Sequence, residues 1–72
     1  MDPAVFERAK ALFLEGNACY AAGRFDDAEA RFAASLELVP GRPSTLANLG
    51  AARLRAGRAR EAVPALEQAL AL

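Results

Sequence analysis

The sequence predicts an all-α protein made of two copies of one helix-turn-helix unit. Leucine, alanine, glutamate and arginine dominate the composition, and β-branched residues are scarce, which favours helices over strands. A pattern of glycine, alanine and arginine also recurs after 34 residues, and a repeat of this period is typical of helical arrays. The recurring positions are Gly16, Ala18, Ala22, Gly23, Arg24 and Ala28, which return as Gly50, Ala52, Ala56, Gly57, Arg58 and Ala62.

Capping and turn residues place the first helix. Asp2 followed by Pro3 predicts a helix start, because the aspartate accepts free backbone N–H groups and proline fits the first helical position. The helical spacing of apolar residues then continues to Ala22. Gly23 ends this helix, since glycine adopts the left-handed conformation of a C-terminal cap without strain.

The same reasoning places three more helices. Asp26 and Asp27 open the second, where carboxylates suit the positive end of the helix dipole. The segment 39–43, rich in proline and glycine, predicts a loop, and Ser44 or the residue after it begins the third helix. Gly57 ends the third helix, and the fourth begins near residue 60. Pro64 lies about one turn inside the fourth helix and is expected to bend it slightly rather than break it.

Two glycines lie in helix interiors, where glycine costs about 1 kcal/mol relative to alanine. Gly16 and Gly50 therefore need a compensating contact. We expect close approach of the paired helix, through Ala28 for the first glycine and Ala62 for the second. Leu54, Val63 and Leu70 are expected on the inward faces of their helices.

Charge and cysteine content restrict the classes of partner and compartment. The formal net charge is zero, which gives no global attraction to nucleic acid or to an anionic membrane. Residues 1–38 nevertheless carry seven acids against four bases, and residues 39–72 carry five arginines against two acids. Cys19 is the single cysteine, and neither a signal peptide nor an apolar run of about 20 residues is present. We expect a cytoplasmic protein that does not enter a membrane.

These residues resemble two tetratricopeptide repeats, a family whose 34-residue helix-turn-helix pattern holds glycines, alanines and aromatics in fixed order. Arg53 and Ser35 depart from the pattern, which has an aromatic residue and a small alanine at their places. The matches in the first repeat, Ala9 to Arg42, are Leu12, Gly16, Tyr20 (one place late), Gly23, Phe25, Ala28, Phe32, Leu36 and Pro40. Those in the second, from Pro43, are Leu46, Asn48, Leu49, Gly50, Gly57, Ala62, Leu66, Ala69 and Leu70.

The resemblance implies domain boundaries and a binding surface. Residues 1–8 would form a helical extension, 9–42 the first repeat and 43–72 a truncated second repeat. Antiparallel helix pairs would stack into a right-handed superhelix whose first helices line a concave groove. The groove positions that the resemblance carries over are Lys10, Phe13, Asn17, Tyr20 and Ala21, and then Ser44, Ala47, Asn48, Ala51, Leu54 and Arg55.

Several of these positions have more than one interpretation. Asn17 and Asn48 are the sharpest candidates for contact with a peptide backbone, although asparagine is also a common filler at such places. Phe13 and Tyr20 either form an exposed apolar strip or belong to the packing, with Phe13 against the N-terminal extension. The basic cluster of Arg53, Arg55, Arg58 and Arg60 is interpreted as solvated surface, with acidic residues on a partner or nucleic-acid phosphate as the alternatives.

The sequence therefore favours a non-catalytic module that binds a protein or peptide. There is no histidine, no glycine-rich phosphate loop and no set of metal ligands, so no cofactor is expected. A second hypothesis is a homo-oligomer formed through the fourth helix, whose end lacks a polar cap. A third is an N-terminal regulatory segment of a larger enzyme such as a transferase, with the 72 residues a fragment of a longer chain.

Overall fold

The computed structural model describes residues 2–71 and contains four helices joined by short connections. Helix α1 spans Pro3–Ala21, α2 Phe25–Leu38, α3 Pro43–Arg55 and α4 Ala59–Ala71. The described residues contain no strand, so the predicted all-α class is confirmed. Met1 and Leu72, the outermost residues of the predicted extension and of the second repeat, lie outside the described range.

The helix starts follow from the residues that precede them. The Oδ1 atom of Asp2 accepts a hydrogen bond of 2.9 Å from the backbone N–H of Ala4, as its place before a proline predicts. Helix α3 begins at Pro43 and not at Ser44 or Thr45, because the fixed φ of proline already suits the first helical turn. Helix α4 continues without interruption through Pro64.

One turn joins the two helices of each pair, and the two turns have the same geometry. Gly23 and Gly57 have φ values of 77° and 84°, the left-handed conformation expected of a C-terminal cap. The backbone N–H of Arg24 donates to the carbonyl of Cys19 at 2.9 Å, and that of Arg58 donates to Arg53 at 2.8 Å. The residues that repeat in the sequence therefore form the same turn in each helix pair, and this turn folds one helix back on the other.

The helices stack in chain order, as in a solenoid. Antiparallel α1 and α2 pack together, α2 packs on α3, and α3 pairs with α4. The apolar core lies where the two pairs meet, with the Phe32 ring fully buried at its centre. This arrangement leaves α1 and α3 side by side on one face. The core residues are Ala28, Phe32, Leu49, Ala52 and Ala65.

Three apolar residues predicted to face inward are exposed. Leu54 and Val63 are 55% and 50% exposed, and Leu70 is 88% exposed. Leu54 follows the buried Ala52 by two positions, which is about 200° around the helix and therefore the opposite face. Val63 follows the buried Ala62 by one position, which is about 100° around α4, and Leu70 lies in the last turn of that helix. The expectation was wrong at these three positions.

The glycines inside the helices do make room for the paired helix, but through larger side chains than expected. A Cβ at Gly16 would lie 2.5 Å from Cε1 of Phe32, so the contact is with this ring and not with Ala28. A Cβ at Gly50 would lie 2.7 Å from Cγ and Cδ2 of Leu66, with the Ala62 carbonyl oxygen at 3.4 Å. The space left by the missing side chain of each glycine is filled by one side chain from the next helix.

Candidate functional site

Seven of the eleven predicted groove residues line two cavities on the face that α1 and α3 share. The first, of about 290 Å³, is lined by Asn17, Tyr20, Asn48 and Ala51, with Phe32 as the fifth lining residue. We call it the asparagine cavity. Four of the candidate groove residues therefore meet at one place, although they come from two helices.

The two asparagines at this cavity bind each other. The Nδ2 atom of Asn48 donates a hydrogen bond of 2.9 Å to Oδ1 of Asn17, across the gap between α3 and α1. An asparagine amide has two N–H donors and two acceptor lone pairs, so this bond leaves the pair with both donor and acceptor capacity. Both residues are half-buried and so remain partly open to solvent. The pair can bond a group that itself offers one donor and one acceptor.

Phe13 and Tyr20 are fixed by ring contacts on the core and do not form a continuous exposed strip. The Phe13 ring lies 5.9 Å from the Phe32 ring, centroid to centroid, and Tyr20 packs edge-on against Phe25 at 5.2 Å. Tyr20 thus belongs to the edge of the core, as one of the two interpretations held. Phe13 packs on Phe32 of α2, whereas the expected contact was with the N-terminal extension.

A second cavity, of about 260 Å³, lies at the other end of α1, and we call it the phenylalanine cavity. Lys10 and Phe13 line it, together with three residues that the sequence interpretation did not select: Phe6, Leu14 and Arg42. The spacing of Phe6, Lys10 and Phe13 by four and three residues puts them on one helix face, and this signal could have identified Phe6. The remaining lining residues are Ser44, which is a predicted groove position, and Ala9, Ser35 and Thr45, which are not.

Arg42 is held over an aromatic face in this cavity. Its guanidinium carbon lies 5.2 Å from the centroid of the Phe6 ring, within the range of a cation–π contact. Arg42 belongs to the loop before α3, so no helical periodicity could have brought it next to Phe6. Four predicted groove positions line neither of these two cavities: Ala21, Ala47, Leu54 and Arg55. Arg55 is exposed at the end of α3.

Two of the four clustered arginines are not solvated surface, so that interpretation was wrong for Arg53 and Arg58. The Nε of Arg53 lies 2.8 Å from Oε2 of Glu29, and Arg58 bonds both Glu29 and Asp26 of α2. The hydrogen bond to Asp26 is the main reason that the pKa of Arg58 is raised above its ordinary value. These bonds join the second repeat to the first. They pair acidic residues from the first half of the chain with basic residues from the second half. Arg55 and Arg60 are exposed, as expected.

Within residues 2–71, no group of three or more histidine, cysteine, aspartate or glutamate side chains is arranged to hold a metal ion. Cys19 is half-buried and packs against the core cluster. No helix in the described range is both long and apolar enough to span a bilayer.

Comparison with protein families gives a match. The family model described as "Tetratricopeptide repeat" matches residues 7–72, which is most of the chain. Comparison with curated proteins and with solved structures gave no match.

Proposed function

The chain belongs to the tetratricopeptide-repeat family, whose members generally mediate protein–protein interactions, and we propose that it binds an extended peptide segment along the face that α1 and α3 share. The proposal assigns the binding surface to Lys10, Phe13, Asn17, Tyr20, Asn48, Ala51 and Arg55. It assigns no catalytic residue and no cofactor. Residues 9–42 and 43–72 would be the two repeats that supply the inner helices.

The bond between Asn17 and Asn48 is the observation that carries the proposal. A peptide amide offers one N–H and one carbonyl oxygen, which matches the donor and acceptor capacity left on the bonded pair. A carboxylate accepts only, so it would leave the free Asn48 oxygen without a donor. The pair therefore favours main-chain recognition over capture of a peptide's C-terminal carboxylate.

The surroundings of the pair suit a peptide better than a small cofactor. The asparagine cavity, at about 290 Å³, is at the lower limit of the roughly 300–1,000 Å³ typical of small-molecule sites. Tyr20 and Ala51 flank the asparagines with apolar surface, against which an extended chain can lay alternate side chains. Main-chain bonds would give affinity, and the neighbouring cavities would give selectivity.

Retention of a degenerate pool of short peptides on the immobilised chain tests this proposal. The peptides are acetylated and amidated, so that they carry no terminal charge. We expect Asn17→Ala and Asn48→Ala each to reduce the retained fraction several-fold. Gln68→Ala removes the same kind of amide from α4 and is expected to leave retention unchanged. Equal retention by all three variants would show that the asparagines are not the peptide contact.

Self-association is a second candidate, favoured by the apolar surface around α4. Leu70 is 88% exposed, and an open cavity of about 560 Å³ lies between Leu36, Leu46, Leu49 and the last turns of α4. A second copy that docked its own α4 here would cover both surfaces. Sedimentation at low and high salt, with Leu70→Ser as the comparison, tests this. A monomer under both conditions removes the candidate.

A further inference from the structure

We propose that the phenylalanine cavity is a selectivity pocket for a peptide that carries an apolar side chain beside an acidic one. The inference deepens the proposed function, because it assigns partner chemistry to one end of the same binding face. It rests on three features of the cavity: its size, its exposed apolar wall and the charges at its edge.

The size suits one side chain. At about 260 Å³ the cavity is smaller than a typical small-molecule site, yet it is concave and lies on the shared face of α1 and α3. Phe13, which lines it, touches the same Phe32 ring that lines the asparagine cavity. A peptide bonded at Asn17 and Asn48 can therefore run directly from one cavity to the next.

The wall of the cavity exposes apolar surface that the fold does not use. Phe6 is 39% exposed and Leu14 is 54% exposed, and the two lie on opposite sides of Lys10 in the sequence. The half-buried Phe13 adds a third apolar wall. Covering this surface is favourable in proportion to the apolar area removed from water, so a leucine or phenylalanine side chain is the natural occupant.

The charged side chains that line the cavity are both positive, and neither forms an ion pair within the described chain. Lys10 and Arg42 both line it, and no described carboxylate lies within ion-pair distance of either. Arg53 and Arg58 differ from Lys10 and Arg42, because each of them forms an ion pair with Glu29. Arg42 is also held in place over Phe6, so less side-chain entropy is lost when it binds an anion. An acidic side chain next to the apolar one in the peptide would pair with these two cations.

The test compares two pools of short, acetylated and amidated peptides on the immobilised full chain. The pools are degenerate except for a central Leu-Glu in one and Leu-Gln in the other, and the retained peptides are counted by mass spectrometry. At low salt we expect Leu-Glu peptides to be enriched about threefold to tenfold over Leu-Gln peptides. The preference should fall close to one at about 1 M NaCl, where charges are screened within about 3 Å.

Matched variants separate this inference from the function on which it rests. Lys10→Gln combined with Arg42→Gln should abolish the preference for Leu-Glu while the Leu-Gln peptides are still retained. Arg24→Gln combined with Arg60→Gln removes two arginines elsewhere and should keep the preference. Asn17→Ala with Asn48→Ala should weaken retention of both pools and leave their ratio unchanged. Circular dichroism of each variant verifies that the helices are intact.

Each other outcome has a definite meaning. Equal retention of the two pools by the unchanged chain, with retention still dependent on the asparagines, overturns the pocket and leaves the peptide groove standing. A Leu-Glu preference that persists in the Lys10→Gln and Arg42→Gln variant places the selectivity elsewhere and also overturns the pocket. A preference that depends on these cations, together with a total retention that does not depend on the asparagines, supports the pocket and contradicts the main-chain contact. No retention of either pool contradicts both.

Discussion

Gly16 of α1 lies directly against the Phe32 ring of α2, so that a Cβ at position 16 would be 2.5 Å from the ring carbon Cε1. Phe32 is fully buried and is the largest side chain at the centre of the core. The same ring touches Phe13 and lines the asparagine cavity. A single glycine thus permits a contact that involves both the core and the proposed binding face.

Gly16→Ala is expected to destabilise the fold, although alanine is the better helix former. The gain in propensity of about 1 kcal/mol is offset by overpacking against an enclosed ring, which costs about 1–3 kcal/mol. Gly50→Ala should cost less, because the opposing Leu66 is only partly buried and can change rotamer. Urea unfolding of both variants measures the difference. A Gly16→Ala variant at least as stable as Gly50→Ala would contradict this packing.

Phe32→Ala is expected to cost roughly 3–5 kcal/mol, because it leaves a cavity at the centre of the core. Native domains are stable by only about 5–15 kcal/mol, so the loss is a large part of the total for a chain of this size. Thermal unfolding followed by circular dichroism checks the prediction. An unchanged midpoint would mean that Phe32 is not the core residue described here.

Glu29→Gln is expected to reduce stability by roughly 0.5–1 kcal/mol, because one half-buried carboxylate binds both Arg53 and Arg58. Asp27→Asn breaks only the exposed pair with Arg24 and should have a smaller effect. The cost of Glu29→Gln should shrink at high salt. A cost that is the same at low and high salt would argue against an ionic origin.

The raised pKa of Arg58 bears on the stability of the fold only at high pH. Its raised value, caused first by the hydrogen bond to Asp26, contributes stability at every pH below the ordinary guanidinium pKa. That contribution is lost only as the pH rises above this value, far from neutrality. Arg58 itself therefore adds no pH dependence to unfolding between pH 5 and 8.

Ser35→Ala is expected to cost at most about 1 kcal/mol, although Ser35 is buried and hydrogen-bonded. Its Oγ donates to the Ala9 carbonyl at 2.7 Å, and the loss of one such bond between neutral groups is worth about 0.5–1.5 kcal/mol. Alanine keeps the volume, and the Ala9 carbonyl still lies within the α1 hydrogen-bond ladder. Ser35→Leu should cost more through overpacking. If both variants unfold alike, the site is less tightly packed than the structure indicates.

The sequence determined the helices and the turns more reliably than it determined individual contacts. Glycine at the end of a helix and a proline at the start of another act locally, so Gly23, Gly57 and Pro43 could be interpreted from their neighbours alone. The meeting of Asn17 with Asn48 required knowledge of how the two repeats stack. It was approached through family resemblance and not through local pattern.

The errors share a physical cause. Leu54 was expected inside because it is apolar, but hydrophobicity does not specify which side of a helix another helix covers. Arg53 and Arg58 were interpreted as solvated because the clustered arginines fall on different helix faces, whereas their partner Glu29 is far away in sequence. Arg42 reaches Phe6 from a loop, where no periodicity predicts direction. Each contact depends on tertiary geometry.

The most direct test of the central claim is a peptide titration of the ¹⁵N-labelled chain followed by NMR. The side-chain amide signals of Asn17 and Asn48 report on the proposed main-chain contact, and backbone signals of Tyr20 and Ala51 report on its borders. We expect these four residues to shift together while α4 remains unchanged. Shifts confined to α4, with both asparagine amides unmoved, would contradict the assignment of α1 and α3 as the binding face.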